Sequence, residues 1–191
     1  LSAATLLDPT HYEGLDEFVE TYYELRKHKG ISMDDARQKL QDISYFATMM
    51  VHLGKADGMV SGAAHTTAHT IRPSFEIIKT KPGVSTVSSI FLMCLQDHVL
   101  AFGDCAVNID PNPTQLADIA VSSAETASQF GVEPRVALLS YSTGTSGSGA
   151  AVDKVRDAVT LAKENGMAYP IDGPIQFDAA AVSYTHLTLP T

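Results

Sequence analysis

Cysteine and long apolar runs are both scarce in this sequence of 191 residues. Its two cysteines, Cys94 and Cys105, cannot build a disulfide framework, so we expect a reducing compartment, the cytoplasm. No run approaches the roughly 18 apolar residues that a membrane-spanning helix requires. The first five residues contain neither lysine nor arginine, which argues against a secretory signal. The sequence therefore predicts a globular protein with no membrane partner.

Positive charge is also in short supply. The chain has 13 Lys and Arg residues against 22 Asp and Glu residues, which gives a formal net charge of −9 at pH 7. Because such a mean field repels phosphate backbones, nucleic acid is excluded as a general partner. Any anionic ligand must then be held by a local group of basic residues.

Hydrophobic periodicity predicts helices that alternate with strands, which is typical of an α/β fold. Residues 32–50 predict one long helix. Short apolar runs predict strands over residues 57–62, 136–139 and 168–171, the second of them covered on both faces. A break rich in Lys, Pro and Gly over residues 79–83 separates two halves of the chain.

A loop of small residues follows the predicted strand 136–139 and precedes a predicted helix. Its backbone N–H groups and hydroxyls suit an anion. Gly144 and Gly149 have the spacing of a phosphate-binding P-loop, but Ala150 and Ala151 stand where Lys and Ser or Thr belong. A flexible glycine turn without a ligand is the alternative. The candidate ligand-binding residues are Ser142, Thr143, Gly144, Thr145 and Ser146.

Two arginines are candidate anion ligands because a guanidinium offers a planar fork to phosphate oxygens. Arg26 lies in a basic run with Lys27 and Lys29 at the end of a predicted helix. A solvated helix end is the alternative interpretation of that run. Arg72 follows the predicted strand 57–62, where open α/β sheets commonly bind ligands.

A metal site is not predicted. His65 and His69 are four residues apart and share one predicted helix face, but a third ligand and the glutamate of a zinc-protease motif are both lacking. Cys94 and Cys105 lie in or beside apolar runs, where cysteines are usually inert.

Six sequence blocks, in the same order over residues 8–182, resemble the phosphate acetyltransferases of the phosphate acetyl/butyryltransferase family. The blocks are residues 24–30 (ELRKHKG), 57–63 (DGMVSGA), 70–73 (TIRP), 103–108 (GDCAVN), 140–149 (SYSTGTSGSG) and 171–174 (IDGP). The resemblance implies an enzyme that interconverts acetyl-CoA and phosphate with CoA and acetyl phosphate. CoA is then a substrate, and no metal or other cofactor is expected.

The resemblance also implies a two-domain α/β open-sheet fold, related to that of isocitrate and isopropylmalate dehydrogenases, with the active site between the domains. Residues 1–80 are expected to form part of the first domain, and residues 81–182 part of an inserted second domain. Residues 183–191 resemble translated vector sequence and are expected to be a non-native tail. The fold is then incomplete at both ends, and the intact parent is expected to be a homodimer.

By resemblance, Arg26 and Arg72 match arginines that bind CoA or phosphate. The loop Ser142–Ser146 and Asp172 match segments that face the family's cleft. The family's catalytic Ser-Arg pair and Asp fall after the end of this sequence, so no catalytic residue is assigned and the fragment is expected to be inactive.

Three alternatives remain from the sequence. One is phosphate butyryltransferase, which performs the same chemistry on a longer acyl group. Another is the acetyl-CoA-binding regulatory domain found in some malic enzymes. A third is a decarboxylating dehydrogenase, which needs a set of metal-binding aspartates with a Tyr/Lys pair that we do not find in this sequence.

Overall fold

A computed structural model describes residues 3–181 and divides the chain into two compact units, Leu1–Lys81 and Pro82–Thr191. The expected non-native tail, residues 183–191, lies outside the described residues. In the first unit, helix α1 (Leu15–Arg26) is followed by one turn of 3-10 helix (Lys27–Lys29) and by helices α2 (Met33–Lys39), α3 (Ile43–His52) and α4 (Thr67–Ile77). The second unit contains, in chain order, strands β1 (Ile90–Cys94) and β2 (Val99–Gly103), helix α5 (Pro113–Gln129), strand β3 (Val136–Leu139), helix α6 (Ala150–Glu164), strand β4 (Ile171–Ile175) and helix α7 (Phe177–Ala181).

The first unit is helical over its described residues. Its core is an aromatic cluster in which the rings of Tyr12, Phe18 and Phe46 lie 5.1–5.2 Å apart, a spacing typical of favourable aromatic pairs. Leu40 and Met49 are fully buried in the same core. Helix α1 is therefore anchored to α3 by its apolar face.

The prediction of one helix over residues 32–50 is wrong, because the chain forms two helices. Helix α2 ends at Lys39, and the side chain of Asp42 accepts hydrogen bonds from the N–H groups of Ser44 and Tyr45 at 2.9 and 3.4 Å. An N-cap of this kind starts a new helix and satisfies N–H groups that would otherwise lack acceptors.

The predicted strand over residues 57–62 is also wrong. These residues form no regular element, and Val60 is fully exposed. A strand needs a neighbour for its backbone hydrogen bonds, and the described part of this unit, residues 3–81, contains no other strand that could supply them.

The second unit contains two small sheets. Strands β1 and β2 form an antiparallel hairpin in which Phe91 pairs with Phe102. Strands β3 and β4 are parallel, with Val136 opposite Ile171. Helices α5 and α6 pack on β3 and β4 through small apolar side chains, which are Ala117, Ala120, Val155, Ala158, Val159 and Ala162.

Two details of the β3–β4 sheet differ from the sequence predictions. Strand β4 begins at Ile171 rather than at residue 168, so Asp172 and Gly173 lie within the strand. Leu139 is half exposed, so β3 is not covered on both faces among the described residues. Gly173 approaches the neighbouring strand closely, since a Cβ there would lie 2.7 Å from the carbonyl oxygen of Leu138.

Candidate functional site

The two groups of predicted ligand residues lie in different units, and each is described in its own unit. Arg26 is the last residue of α1, and its side chain is 23% exposed. Its Nη2 atom lies 3.8 Å from Oε2 of Glu76 on α4, which is an ion-pair distance but too long for a hydrogen bond. The Nε atom of Arg26 is buried and has no hydrogen-bond partner among residues 3–181. The guanidinium therefore keeps a free donor, which is unusual for a buried polar group.

Glu76 connects this arginine to two buried tyrosines. The hydroxyl of Tyr22 donates a hydrogen bond to Oε2 of Glu76 at 2.9 Å. Burial, followed by this bond, raises the pKa of Tyr22 well above its usual range. Burial and then the charge of Glu76 raise the pKa of Tyr45 to about 12. Both phenols therefore stay protonated at neutral pH, and Tyr22 keeps the proton that it donates to Glu76.

Tyr45 is also buried (3% exposed), and its hydroxyl makes no hydrogen bond of normal geometry with the part of the chain that the structure describes. Its ring packs edge-on against that of Tyr22, with centroids 5.9 Å apart. A second buried hydroxyl therefore lies in the same cluster as Arg26, close to the carboxylate of Glu76.

Arg72 lies on α4 one helical turn before Glu76, and it is exposed. It shares a face of α4 with Glu76, and its positive charge opposes the rise in the pKa of Tyr45. Among the residues that the structure describes, Arg72 makes no ion pair. The structure thus brings both predicted arginines to one cluster, which we call the arginine–tyrosine cluster: Tyr22, Arg26, Tyr45, Arg72 and Glu76.

The sequence interpretation missed Tyr22, Tyr45 and Glu76. The spacing of residues along the helices could have indicated Glu76 and Tyr22. Glu76 stands four residues after Arg72, and Tyr22 stands four residues before Arg26, so each pair shares one helix face. No local signal in the sequence indicates that Tyr22 and Glu76 meet, since they are 54 positions apart.

The rest of the basic run faces solvent. Lys27 makes an exposed ion pair with Glu24 at 2.5 Å, and Lys29 is exposed. These two lysines fit the alternative interpretation of a solvated helix end, whereas Arg26 does not.

His69 serves as a link between two helices. Its Nε2 atom lies 2.8 Å from Oδ2 of Asp42, and its Nδ1 atom lies 3.2 Å from Oγ of Ser44. The ring of His65 stacks on it with centroids 4.5 Å apart. Both nitrogens of His69 are therefore engaged within the protein. Between residues 3 and 181, no group of three His, Cys, Asp or Glu side chains is arranged to hold a metal ion.

The small-residue loop of the second unit joins the end of β3 to the start of α6. Helix α6 begins after Gly149 without a side-chain cap. Because the first N–H groups of a helix lack partners within the helix, this end is polarised toward an anion. The loop is tied to β4, since the N–H of Gly144 donates to the carbonyl oxygen of Pro174 at 2.8 Å.

Most polar groups of the loop are used within the protein. Ser146 Oγ accepts from Thr143 N–H at 3.1 Å and donates to the Thr143 carbonyl oxygen at 2.7 Å. Thr143 Oγ1 accepts from the N–H of Gln176 at 3.1 Å. Ser142 is buried and its Oγ has no hydrogen-bond partner within the described residues, whereas Thr145 is exposed. Hydrogen bonds within the second unit therefore hold residues 143–146 in a turn.

Asp172 lies near the start of β4, the strand whose Pro174 contacts the loop. It is partly buried, and its Oδ1 accepts a hydrogen bond from the N–H of Gly173 at 2.8 Å. Its backbone is opposite Ala137 on β3. Its other carboxylate oxygen, Oδ2, makes no hydrogen bond within the described residues.

Asp104 is a carboxylate that the sequence interpretation did not single out. Its oxygens accept hydrogen bonds from Ser89 N–H and Oγ at 3.0 and 2.5 Å, and from Asn108 N–H and Nδ2 at 2.5 and 2.7 Å. Burial alone would raise its pKa, but these bonds outweigh it and hold the pKa of Asp104 far below its usual range. Asp104 therefore shapes the turn after β2 and is a poor proton acceptor.

A cavity of about 450 Å³ lies between β2 and β3. Its walls are mainly apolar and include Leu100, Phe102, Leu138 and Phe177. None of the predicted ligand residues lines it. No helix in the described part of the chain is both long and apolar enough to cross a bilayer.

The fold and these two groups define a mixed α/β protein whose arginines and hydroxyl-rich turn suit phosphate-bearing ligands. A family model described as "Phosphate acetyl/butaryl transferase" matches residues 1–188. The chain belongs to this family, and the resemblance seen in the six sequence blocks is confirmed.

Individual relatives agree with this assignment. A phosphate acetyltransferase from Synechocystis sp. is 60% identical over 183 residues, which is 96% of this chain and 26% of that protein. A phosphate acetyltransferase from Corynebacterium glutamicum is 59% identical over 180 residues, covering 94% of this chain and 55% of that protein. The solved EutD phosphotransacetylase from Staphylococcus aureus superimposes with a TM-score of 0.85 at 47% identity, covering 95% of this chain and 56% of that chain. The chain thus spans between a quarter and just over half of these relatives.

Proposed function

We propose that the protein to which this chain belongs transfers an acetyl group between CoA and phosphate, interconverting acetyl-CoA and phosphate with CoA and acetyl phosphate. The observation that carries the proposal is the arrangement of Arg26 and Arg72 around one cluster in which the buried Nε of Arg26 is a free donor. The relatives of this chain are named phosphate acetyltransferases. Those names favour the acetyl group over the butyryl group. No feature of the structure favours a malic-enzyme regulatory domain or a dehydrogenase.

Arg26 and Arg72 bind the phosphate groups of CoA or the transferred phosphate in this proposal. Arginine suits this role because it stays charged at all accessible pH values and can donate two parallel hydrogen bonds to one phosphate. The buried Nε of Arg26 lacks an acceptor in the protein, so a phosphate oxygen would complete its hydrogen bonding. In an acidic chain with a net charge of −9, this local positive charge is what makes an anionic substrate bind.

The loop Ser142–Ser146 and Asp172 form the second ligand group of the proposal. The N-terminus of α6 and the exposed hydroxyl of Thr145 offer donors to an anion. Gly144 keeps the turn against β4 by its hydrogen bond to Pro174. Asp172 accepts a donor from the ligand through the carboxylate oxygen that the protein leaves unpaired.

The chemistry is an acyl transfer. The CoA thiolate sulfur attacks the acetyl carbonyl carbon, a C–S bond forms, and the C–O bond to phosphate breaks so that phosphate leaves with the electron pair. A base takes the thiol proton, and positive or N–H donors stabilise the carbonyl oxygen and the leaving phosphate. The reaction needs no electron transfer. We assign the residues of this chain to ligand binding and assign none of them as the base.

The wider organisation is part of the same proposal. Residues 1–80 belong to one domain and residues 81–182 to a second, in a fold related to the isocitrate and isopropylmalate dehydrogenases. The intact protein acts in the cytoplasm as a homodimer. Sedimentation of the full-length gene product tests the dimer, since a monomeric mass at micromolar concentration would contradict it.

The decisive experiment assays the full-length product of the gene that encodes this chain. Acetyl-CoA is supplied with and without phosphate, and loss of the thioester is followed together with release of free CoA. We expect loss of acetyl-CoA that depends on phosphate and forms acetyl phosphate. Butyryl-CoA serves as the matched substrate and should react more slowly. Hydrolysis of acetyl-CoA without phosphate, or no reaction, would overturn the proposed activity.

A further inference from the structure

Glu76 places a negative charge inside the proposed anion site. Its Oε2 lies 3.8 Å from Nη2 of Arg26, and Arg72 precedes it by one turn of α4. The side chains of Arg26 and Glu76 are only 23% and 21% exposed, so solvent screens their charges incompletely. A phosphate that binds Arg26 must approach this carboxylate, and like charges at short range repel.

Tyr22 holds Glu76 in place. The phenol is buried (4% exposed) and donates its proton to Oε2 of Glu76 at 2.9 Å. The carboxylate is thereby kept at an ion-pair distance from Arg26 rather than in direct hydrogen-bond contact. The Nε donor of Arg26 consequently stays free. Tyr22 and Glu76 together leave the guanidinium partly neutralised yet open to a ligand.

We propose that Glu76 sets the affinity of the anion site: its carboxylate, held by Tyr22, opposes the binding of CoA phosphate groups at Arg26 and Arg72. This inference rests on the ligand-binding role proposed for the two arginines. It assigns opposite effects to two neighbouring residues. Removing the charge of Glu76 tightens binding, and releasing Glu76 from Tyr22 lets the carboxylate close on Arg26 and weakens binding.

Electrostatics gives the expected size of the first effect. Two unit charges 4 Å apart interact by ~1 kcal/mol in water, which corresponds to about a fivefold change in affinity. Partial burial strengthens this interaction, and salt weakens it, so we expect a threefold to tenfold change at low salt that shrinks at about 0.5 M salt.

The test is a calorimetric titration of CoA into the full-length protein at low and high salt. Glu76→Gln keeps the shape of the side chain and an acceptor for Tyr22 but removes the charge, so its Kd for CoA should fall about threefold to tenfold. Glu20→Gln is the matched control, since Glu20 is an exposed residue on the same helix as Arg26 and its loss changes net charge equally. Its Kd should match that of the unaltered protein.

Tyr22→Phe should raise the Kd for CoA, and the double variant should bind like Glu76→Gln alone. A purely structural role of Tyr22 would instead produce the same shift in both backgrounds. The proposal is overturned if Glu76→Gln weakens binding or leaves it unchanged, or if the two substitutions act additively. Circular dichroism of each variant checks that it is folded.

The acetyl-transfer assay separates this inference from the proposed function. If the unaltered protein transfers acetyl groups but Glu76→Gln binds CoA no more tightly, only the inference fails. If Glu76→Gln lowers the Kd for CoA and Tyr22→Phe raises it, but the unaltered protein transfers no acetyl group, the role of Glu76 in setting affinity stands and the proposed reaction fails. An unaltered protein that does not bind CoA overturns both.

Discussion

The carboxylate of Asp42 and the imidazole of His69 meet at 2.8 Å and join the start of α3 to the first turn of α4. Asp42 uses its other oxygen to cap α3. Burial alone would raise the pKa of Asp42, but the hydrogen bonds from His69 and from two backbone N–H groups outweigh burial and lower the pKa. One side chain thus fixes both the break between α2 and α3 and the position of the helix that carries Arg72.

Asp42→Asn should therefore destabilise the protein near neutral pH. Asparagine keeps the helix cap but loses the charged contact with His69, so we expect a loss of about 1–2 kcal/mol in the free energy of unfolding. Because the pKa of Asp42 is lowered on folding, this contribution is present above the unfolded pKa of about 3.9 and disappears as pH falls through the folded value. Urea unfolding at pH 7 and near pH 3 measures both effects.

The control for this prediction is Asp34→Asn, since Asp34 is exposed on the first turn of α2. It should change stability by no more than about 0.5 kcal/mol. An Asp42→Asn variant that is as stable as this control at pH 7 would show that the contact with His69 is not stabilising.

Asp104→Asn should destabilise the second unit more strongly. The carboxylate accepts several hydrogen bonds from the turn after β2, and an amide can replace only part of them while it adds two donors. We expect a loss of about 3 kcal/mol or more in the free energy of unfolding. The low folded pKa means that this stabilisation holds above about pH 4 and declines as pH falls further.

Denaturant unfolding followed by circular dichroism checks the prediction for Asp104. Asp97→Asn is a suitable comparison because Asp97 lies in the exposed turn of the same hairpin. Equal stability of the two variants would mean that the hydrogen bonds of Asp104 add nothing to the turn.

Local signals in the sequence were sufficient for some elements and not for others. Strand β3 and the helix that follows the small-residue loop, α6, were predicted from periodicity and turn residues, and both are present. The apolar residues Met59 and Val60 suggested a strand, but no local pattern shows whether a partner strand exists. Asp42 stood inside an apolar helical period, so its role as a cap was hidden by neighbours that suit a continuous helix.

For the candidate site, too, local sequence signals were sufficient for some residues and not for others. Arg26, Arg72 and the loop Ser142–Ser146 could be named from sequence blocks because these residues are contiguous or lie in recognisable motifs. Glu76 and Tyr22 could not be paired, because their contact joins α1 to α4 across 54 positions. A side chain that acts on a binding site only by positioning another residue has no local motif by which a single sequence could reveal it.

Lys79→Gly should stabilise the first unit. Lys79 follows α4 with a positive φ of 65°, and its N–H donates to the carbonyl oxygen of Ser74 at 2.9 Å. This is the left-handed position that commonly ends a helix, and glycine adopts it without the strain that a Cβ causes. We expect a net gain of about 0.5–1 kcal/mol in the free energy of unfolding, because the strain relieved exceeds the entropy that glycine adds to the unfolded chain.

Lys39→Gly provides a control of opposite sign. Lys39 is the last residue of α2 and has helical geometry, so glycine there should cost about 0.5–1 kcal/mol. The melting temperatures of both variants, measured by thermal unfolding, test this prediction. If Lys79→Gly lowers the melting temperature as Lys39→Gly does, the left-handed backbone at residue 79 carries no strain.

Arg72→Ala should weaken substrate binding in the full-length protein. A charged hydrogen bond to a phosphate contributes about 1.5–3 kcal/mol, so KM for CoA or phosphate should rise about tenfold to a hundredfold, or kcat should fall. Arg37→Ala is the matched control, since Arg37 is an arginine of the same unit that pairs with Asp16 away from the arginine–tyrosine cluster. Kinetics for Arg72→Ala that equal those of Arg37→Ala would remove Arg72 from the site.

Gly173→Ala should disrupt the parallel pair of strands next to the small-residue loop. The new Cβ would lie 2.7 Å from the carbonyl oxygen of Leu138 and 2.9 Å from its Cβ, and Gly173 has a φ of 154° that L side chains rarely adopt. Because the obstacle is backbone, side-chain rotation cannot relieve it, and we expect a loss of about 2–4 kcal/mol in the free energy of unfolding. Gly166→Ala, where φ is 78° and no atom lies within 4 Å of the added Cβ, should cost only about 1 kcal/mol. Equal losses in the two variants would show that the close approach of β3 and β4 does not require glycine.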